Sequence, residues 1–181
     1  LLAWLLGPRL QMALAIIFAI GILVAPIFSA TFLKPERVTS YFGEVHYSAL
    51  HRLHIWHFTA QRVTEKPILG WGMDAARRIP GGDKKLAGGG MVMGMHPHNA
   101  TLQIWLELGA VGALLVGILV FFLWRAISAL ADPAARATAT AMLISAFTVA
   151  NLSFGIWQTW WMATLTAFAV LWTVALRVSS K

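Results

Sequence analysis

The chain contains no cysteine, which excludes disulfide scaffolds, thiolate zinc sites and cysteine nucleophiles together. Charge is scarce as well. Only 12% of the 181 residues are charged, about half of the roughly 25% usual in soluble domains. Acidic residues are the rarest part, seven against fourteen basic ones, for a net charge of +7. What is abundant is apolar: 59% hydrophobic residues, nine Trp and a mean hydropathy of +0.71. That excludes a disordered chain and an ordinary soluble globule. The composition predicts an all-α, polytopic membrane protein.

Leu10 to Leu33 is free of charge for 24 residues and lies between Arg9 and Lys34. About 20 apolar residues suffice to cross a bilayer as a helix, so a first span is expected over 10–33, kinked near Pro26. The run is too long for a signal peptide and no clean cleavage site follows. A second span is expected over 100–124. Within it Gly109, Ala113 and Gly117 form a small-residue stripe that admits a neighbouring helix closely. From 137 to 176 there are 40 uncharged residues, too many for one crossing, which predicts spans over 137–153 and 157–176 with a tight turn between them. The chain opens on Leu1 rather than Met, and we expect it to be the C-terminal part of a longer protein.

Four spans would put Arg9, Arg125, Arg136, Arg177 and Lys181 on one side, opposed only by Asp132, and the positive-inside rule makes that side cytoplasmic. The loop over 34–99 is then external. It carries the other nine basic residues, five acidic ones and all six histidines. Long loops translocate regardless of charge, so the loop's excess of cations calls for an anionic partner. Because that excess is confined to one outer loop, an anion at the outer membrane surface explains it better than nucleic acid does.

Within the loop, Val45 to Lys66 reads as an amphipathic helix. Val45, Ala49, Leu53, Trp56, Ala60 and Val63 fall in one stripe at 100° per residue, with Arg52 at its edge and His51 and Arg62 opposite. Such a helix is expected to lie along the membrane interface. Pro67 ends it, and Ile68 to Gly72 is expected to be a buried turn. The glycines at 81–82 and 88–90 predict a mobile cover over a ligand; none belongs to a P-loop. His51, His54 and His57 recur every three residues, but no carboxylate completes a metal site. Asn99 is a good N-cap for the second span. His98 then stands just outside the positive end of that helix, where a neutral imidazole can act as base and free amides attract phosphate.

The run His96-Pro97-His98-Asn99-x-x-Leu102-Gln103-x-Trp105-x-Glu107-Leu108-Gly109 resembles the signature of the O-antigen ligase-like family of bacterial membrane proteins. Arg52-Leu53-His54-Ile55-Trp56 and Pro67-Ile68-Leu69-Gly70-Trp71-Gly72 resemble the two pieces that precede it. The resemblance covers about a third of the chain. It implies a GT-C-like membrane glycosyltransferase whose donor is a glycan on a polyprenyl pyrophosphate. The acceptor would be a sugar of the lipid A core, or in related polymerases another lipid-linked glycan. It further implies an inner-membrane enzyme working at the periplasmic face, with His98 as the catalytic histidine and Arg52 on the pyrophosphate. The family's other basic motif belongs to an earlier loop that this chain does not contain.

The residues themselves agree with that chemistry. Breaking a sugar–pyrophosphate bond develops negative charge that needs cations or a metal. The loop's carboxylates are scattered, whereas Arg binds phosphate oxygens as a bidentate fork. We therefore expect transfer without a metal or other cofactor, with Arg62, Arg77 and Arg78 assisting Arg52. His96, Asn99 and Gln103 are further candidate substrate contacts. Glu107 reads as an interface charge or the partner of a loop Arg. The alternatives are a polymerase or protein-glycosylating member of the same family, or a transporter subunit. Transporters place polar groups near the midplane, and here the ionisable residues fall at span ends and in loops.

Overall fold

The computed structural model describes residues 7–86 and 88–179 of the chain. Among them the fold is all-helical, with a single isolated bridge between Lys85 and Met91. Helix α1 (Pro8–Phe32) is followed by the short α2 (Pro35–Phe42) and by α3 (Tyr47–Glu65). A 3-10 turn at Ala75–Arg78 precedes α4 (Ala100–Ser128), α5 (Pro133–Leu152) and α6 (Thr159–Ser179). Proline at the first turn starts α1, α2 and α5, where its missing N–H costs no helical bond. Asp132 caps α5 by accepting from the amides of Ala134 and Ala135.

The four long helices coincide with the four predicted spans. Two of them, α1 and α4, are long and apolar enough to cross a membrane by their own length and composition. Contacts near the helix ends give their directions. Gln11 near the start of α1 donates to Thr140 near the start of α5 at 2.9 Å. Asn151 at the end of α5 accepts from the amide of Thr101 at the start of α4 at 3.1 Å. Thus α1 and α5 both run antiparallel to α4. The loop and the 153–158 turn lie at one end, with Arg9, Arg125 and Arg136 at the other. Lys181 lies outside the described residues.

Helix α1 continues through the buried Pro26. Proline cannot donate to the carbonyl four residues back, which here is that of Ile22. The indole N–H of Trp105 on α4 fills the vacancy at 2.7 Å. Below it, Ala15, Ile22, Ile104, Ala113, Val120 and Trp124 form the core between α1 and α4. Outward, Ile16, Ile17, Ile20, Ile27 and Phe28 of α1 and Leu114, Leu115, Ile118, Leu119 and Phe122 of α4 are exposed. Met162, Leu165, Phe168 and Leu171 of α6 are exposed too. Apolar faces this extensive mark a membrane protein.

The second predicted span is not one unbroken helix. Gly109 sits at φ +63°, ψ −158° and divides α4 in two. The loop after Pro67 inserts at the break and exchanges hydrogen bonds with it. Carbonyls of Leu106 and Glu107 accept from the amides of Trp71 (2.8 Å) and Gly72 (2.9 Å). In return the amides of Ala110 and Val111 donate to the carbonyls of Pro67 (2.8 Å) and Ile68 (3.2 Å). A Cβ on Gly109 would strike the Ile68 carbonyl, and one on Gly70 would strike the backbone of Glu107 and Leu108. The stripe expectation is thus corrected at one position: Gly109 is a docking point for a loop. Gly117 does meet α1, where an added Cβ would stand 3.8 Å from the Ala19 carbonyl.

Three further expectations change. Leu53, Ile55, Ala60 and Val63 of α3 are buried. Ile55 and Val63 pack with Ala76, Ile79 and Met93 of the loop and Leu106 of α4, so the buried part of this helix faces protein. Residues 79–86 and 88–93 form a hydrogen-bonded hairpin-like loop where a mobile cover was expected. Val92 donates to Lys84 (2.8 Å) and Met93 to Gly82 (2.8 Å). The hydroxyl of Tyr47 donates to the Gly88 carbonyl at 3.2 Å, and His51 Nε2 donates to the Met91 carbonyl at 2.7 Å. Both contacts pin the segment to α3. Of the expected buried turn at 68–72, Ile68 and Leu69 are exposed, because the turn docks through its backbone.

Candidate functional site

His98 adopts a left-handed conformation, φ +53°, uncommon for a residue with a Cβ. The turn is held from three sides. Its amide donates to His96 Nδ1 at 3.3 Å. The indole N–H of Trp56 on α3 donates to the Pro97 carbonyl at 2.9 Å. The His98 ring donates from Nδ1 to the Ser153 carbonyl, in the α5–α6 turn, at 2.8 Å. A carbonyl can only accept, so Nδ1 carries the proton and Nε2 of the neutral ring presents its lone pair. This is the arrangement a general base requires.

The two imidazoles meet edge to face with centroids 4.3 Å apart. His96 is 8% exposed and its pKa is pushed down to about 4. Burial is the main cause, with the neighbouring His98 imidazole and the Arg77 charge adding to it. His96 is therefore a neutral structural partner at physiological pH. Gly155 closes over it, since an added Cβ there would sit 2.9 Å from the ring.

Asn99 caps α4 as expected, accepting from the Leu102 amide at 2.9 Å. With Asn151 on the Thr101 amide, two of the first amides of α4 are already satisfied. The expected phosphate site of free amides at this helix start is thus taken up by side-chain caps. Gln103 is buried, donates to Glu107 Oε1 at 3.2 Å and accepts from the Ile156 amide at 3.0 Å. Its amide is spent on holding the α5–α6 turn.

The arginines separate by surroundings. Arg52 is half-buried on α3, one turn before Trp56, and forms no hydrogen bond or ion pair among the described residues. Residues four apart share a helix face, so Arg52 lies on the face that touches the His-Pro-His turn. Arg77 is oriented by Asp74 at 2.8 Å and reaches Met95 Sδ at 3.8 Å. It thus stands beside the histidine turn, and its charge is felt at His96. Arg78 is exposed. With Arg77 and Asp83 it lines an open cavity of about 450 Å³ bounded by Ile79 and Met93. Arg62 is not brought to this cluster. It pairs with Glu65 at 3.0 Å and lies against the Phe58 ring, ten residues, roughly 15 Å, along α3 from Arg52.

The remaining histidines do not share a centre. His46 caps α3, His51 holds the 79–93 loop, and His57 meets Gln61 at 3.1 Å. Burial lowers the His57 pKa against an opposing pull from Glu36. No three His, Asp or Glu side chains gather around one point among the described residues.

The residue that sequence reasoning placed least well is Glu107. It is fully buried, with no arginine paired to it among the described residues. Its carboxylate accepts from the amides of Asp74 (3.0 Å) and Ala76 (3.3 Å), from Gln103 Nε2 and from the indole of Trp157. The available signal was a carboxylate inside an apolar run, two residues before a glycine.

Residues 1–117 match the family described as "O-Antigen ligase", a stretch that contains the arginine, glycine and histidine pieces of the site. The chain belongs to the O-antigen ligase family. Its similar proteins include one of Rickettsia conorii that carries the name "Putative polysaccharide ligase", 34% identical over 154 residues, 83% of this chain and 37% of that one. Proteins of the same description from Rickettsia felis and Rickettsia prowazekii are 32% identical over 167 residues and 34% over 146. These cover 90% and 78% of this chain and 41% and 36% of theirs. The chain therefore spans about two fifths of the length of the curated relatives it matches. No solved structure matches it. The interlock of 67–72 with Gly109 gives a physical reason for two of the sequence pieces that resemble the family's.

Proposed function

We propose that the chain is the catalytic part of a membrane glycosyltransferase that moves a glycan from a polyprenyl pyrophosphate to an acceptor sugar, as in ligation of O-antigen to the lipid A core. Helices α1, α4, α5 and α6 cross the inner membrane, and the 34–99 loop faces the periplasm. The observation that carries this reading is the His98 ring, whose Nδ1 donates to the Ser153 carbonyl and whose Nε2 has no partner among the described residues. In the transfer step an acceptor hydroxyl attacks the anomeric carbon and gives its proton to His98 Nε2. The bond from that carbon to the pyrophosphate oxygen breaks, and the leaving group departs with the negative charge. Arg52 holds that charge through its bidentate fork. Arg77, already oriented by Asp74, and Arg78 line the adjoining cavity, where the glycan lies. His96, Asn99 and Gln103 shape the base without touching substrate, and Arg62 is peripheral.

A base of this kind contributes about 10²–10⁴-fold. In the full-length protein, reconstituted with lipid-linked glycan, His98→Ala and Arg52→Ala should each abolish transfer while insertion and expression are kept. Wild-type rates from either variant remove that residue from the mechanism. Exhaustive chelation should leave the rate unchanged; loss restored by Mg²⁺ or Mn²⁺ would overturn the metal-independent step.

A further inference from the structure

We infer that Glu107 is a positioning residue that sets the tautomer of His98 from a distance and fixes the arginine turn beside it. The inference rests on the reading of His98 as the base. Glu107 does not touch His98. It grips the two segments that do the work around it. Through Trp157, and through Gln103 to the Ile156 amide, it holds the 153–158 turn. That turn offers the Ser153 carbonyl to His98 Nδ1. Through the amides of Asp74 and Ala76 it holds the 3-10 turn that carries Arg77 and Arg78. Asp74 takes a left-handed φ of +60°, and its amide is one of those aimed at the carboxylate.

The chemistry demands a carboxylate at this position. Each oxygen faces two N–H donors: Oε2 those of Asp74 and Trp157, Oε1 those of Ala76 and Gln103. An acceptor-only group satisfies all four. An amide of the same shape cannot, because either orientation turns an NH2 against two donors. Burying that mismatch releases one segment or the other. Release of the 153–158 turn withdraws the Ser153 carbonyl, and the His98 proton is then free to move to Nε2, which removes the lone pair.

The test uses the full-length protein in nanodiscs, labelled with 15N-histidine, with the His98 signal assigned by its loss in His98→Gln. In wild type the ring should show the Nδ1–H tautomer alone. Glu107→Gln should give a mixture of tautomers, with kcat falling about tenfold or more, as expected when a base is impaired, and the KM for the glycan donor rising as the arginine turn is released. Trp157→Phe cuts only the link to the turn, leaves three donors on the carboxylate, and should shift the tautomer in the same direction. It carries the test alone if Glu107→Gln does not fold. An unchanged His98 tautomer in Trp157→Phe, or in a folded Glu107→Gln, overturns the inference. A shifted tautomer with an unchanged kcat supports the positioning role and overturns His98 as the base.

Discussion

At the residue scale, His96 shows how a buried neutral group leaves a pH signature. Its folded-state pKa of about 4 lies below the ordinary 6.5. Between those values the unfolded chain binds the proton and the folded one does not, so stability is lost as pH falls from 6.5 to 4 and not further below. His96→Asn keeps an acceptor for the His98 amide but cannot titrate. Thermal midpoints measured against pH should therefore fall more steeply for wild type than for His96→Asn in that window. Parallel curves would show that the ring is solvated. Arg52 offers a second residue-level prediction. Arg52→Lys retains charge but loses the planar fork, so it should recover only part of the activity lost in Arg52→Ala, read as transfer rate at saturating donor. The Asn99 cap, and with it the place of His98 just before α4, was legible from the sequence because capping is local. The partner that selects the His98 tautomer was not, since Ser153 contributes only a carbonyl, which every residue has.

At the element scale, two interlocks decide how helices and loop meet. In the first, Gly109 and Gly70 let the 67–72 backbone enter the break in α4. Gly109→Ala combines a left-handed φ, costing roughly 1–2 kcal/mol, with a collision against the Ile68 carbonyl. It should lower the melting temperature by several degrees, about 2–4 °C per kcal/mol at this size. Gly117→Ala meets only an ordinary contact and serves as its control. Equal melting of both variants would contradict the interlock. In the second, Trp105 satisfies the Ile22 carbonyl that Pro26 leaves without a helical donor. Trp105→Phe should cost about 1–3 kcal/mol, and less in a Pro26→Ala background, where the backbone N–H gained at that position can take over. A double-mutant cycle with no coupling would reject that account. Helix positions were legible because apolar periodicity and proline placement are local signals. The break was not, because the hydrogen bonds that replace the helical ones come from residues about 40 positions away.

At the scale of the whole molecule, charge and greasiness separate in space. Apolar faces wrap α1, α4 and α6, while the cationic loop folds on a small core that it shares with α4, with α3 inside it. The composition made the membrane class legible, and the location of the basic residues pointed to an anionic substrate. That Arg62 pairs with Glu65 while Arg77 reaches Met95 beside the histidine turn was not legible, because the two differ only in what they pack beside. The absence of cysteine makes the proposed topology directly testable. Asp83→Cys should react with a membrane-impermeant thiol reagent in intact spheroplasts, and Asp132→Cys only after lysis. Reversed labelling would invert the orientation.

The account turns on His98 Nε2 receiving the acceptor proton. The most direct measurement is single-turnover transfer by the full-length protein with purified lipid-linked glycan, comparing wild type with His98→Ala at equal donor occupancy. The account predicts a fall of about 10²–10⁴-fold with donor binding intact. A variant that transfers glycan at the wild-type rate would contradict it.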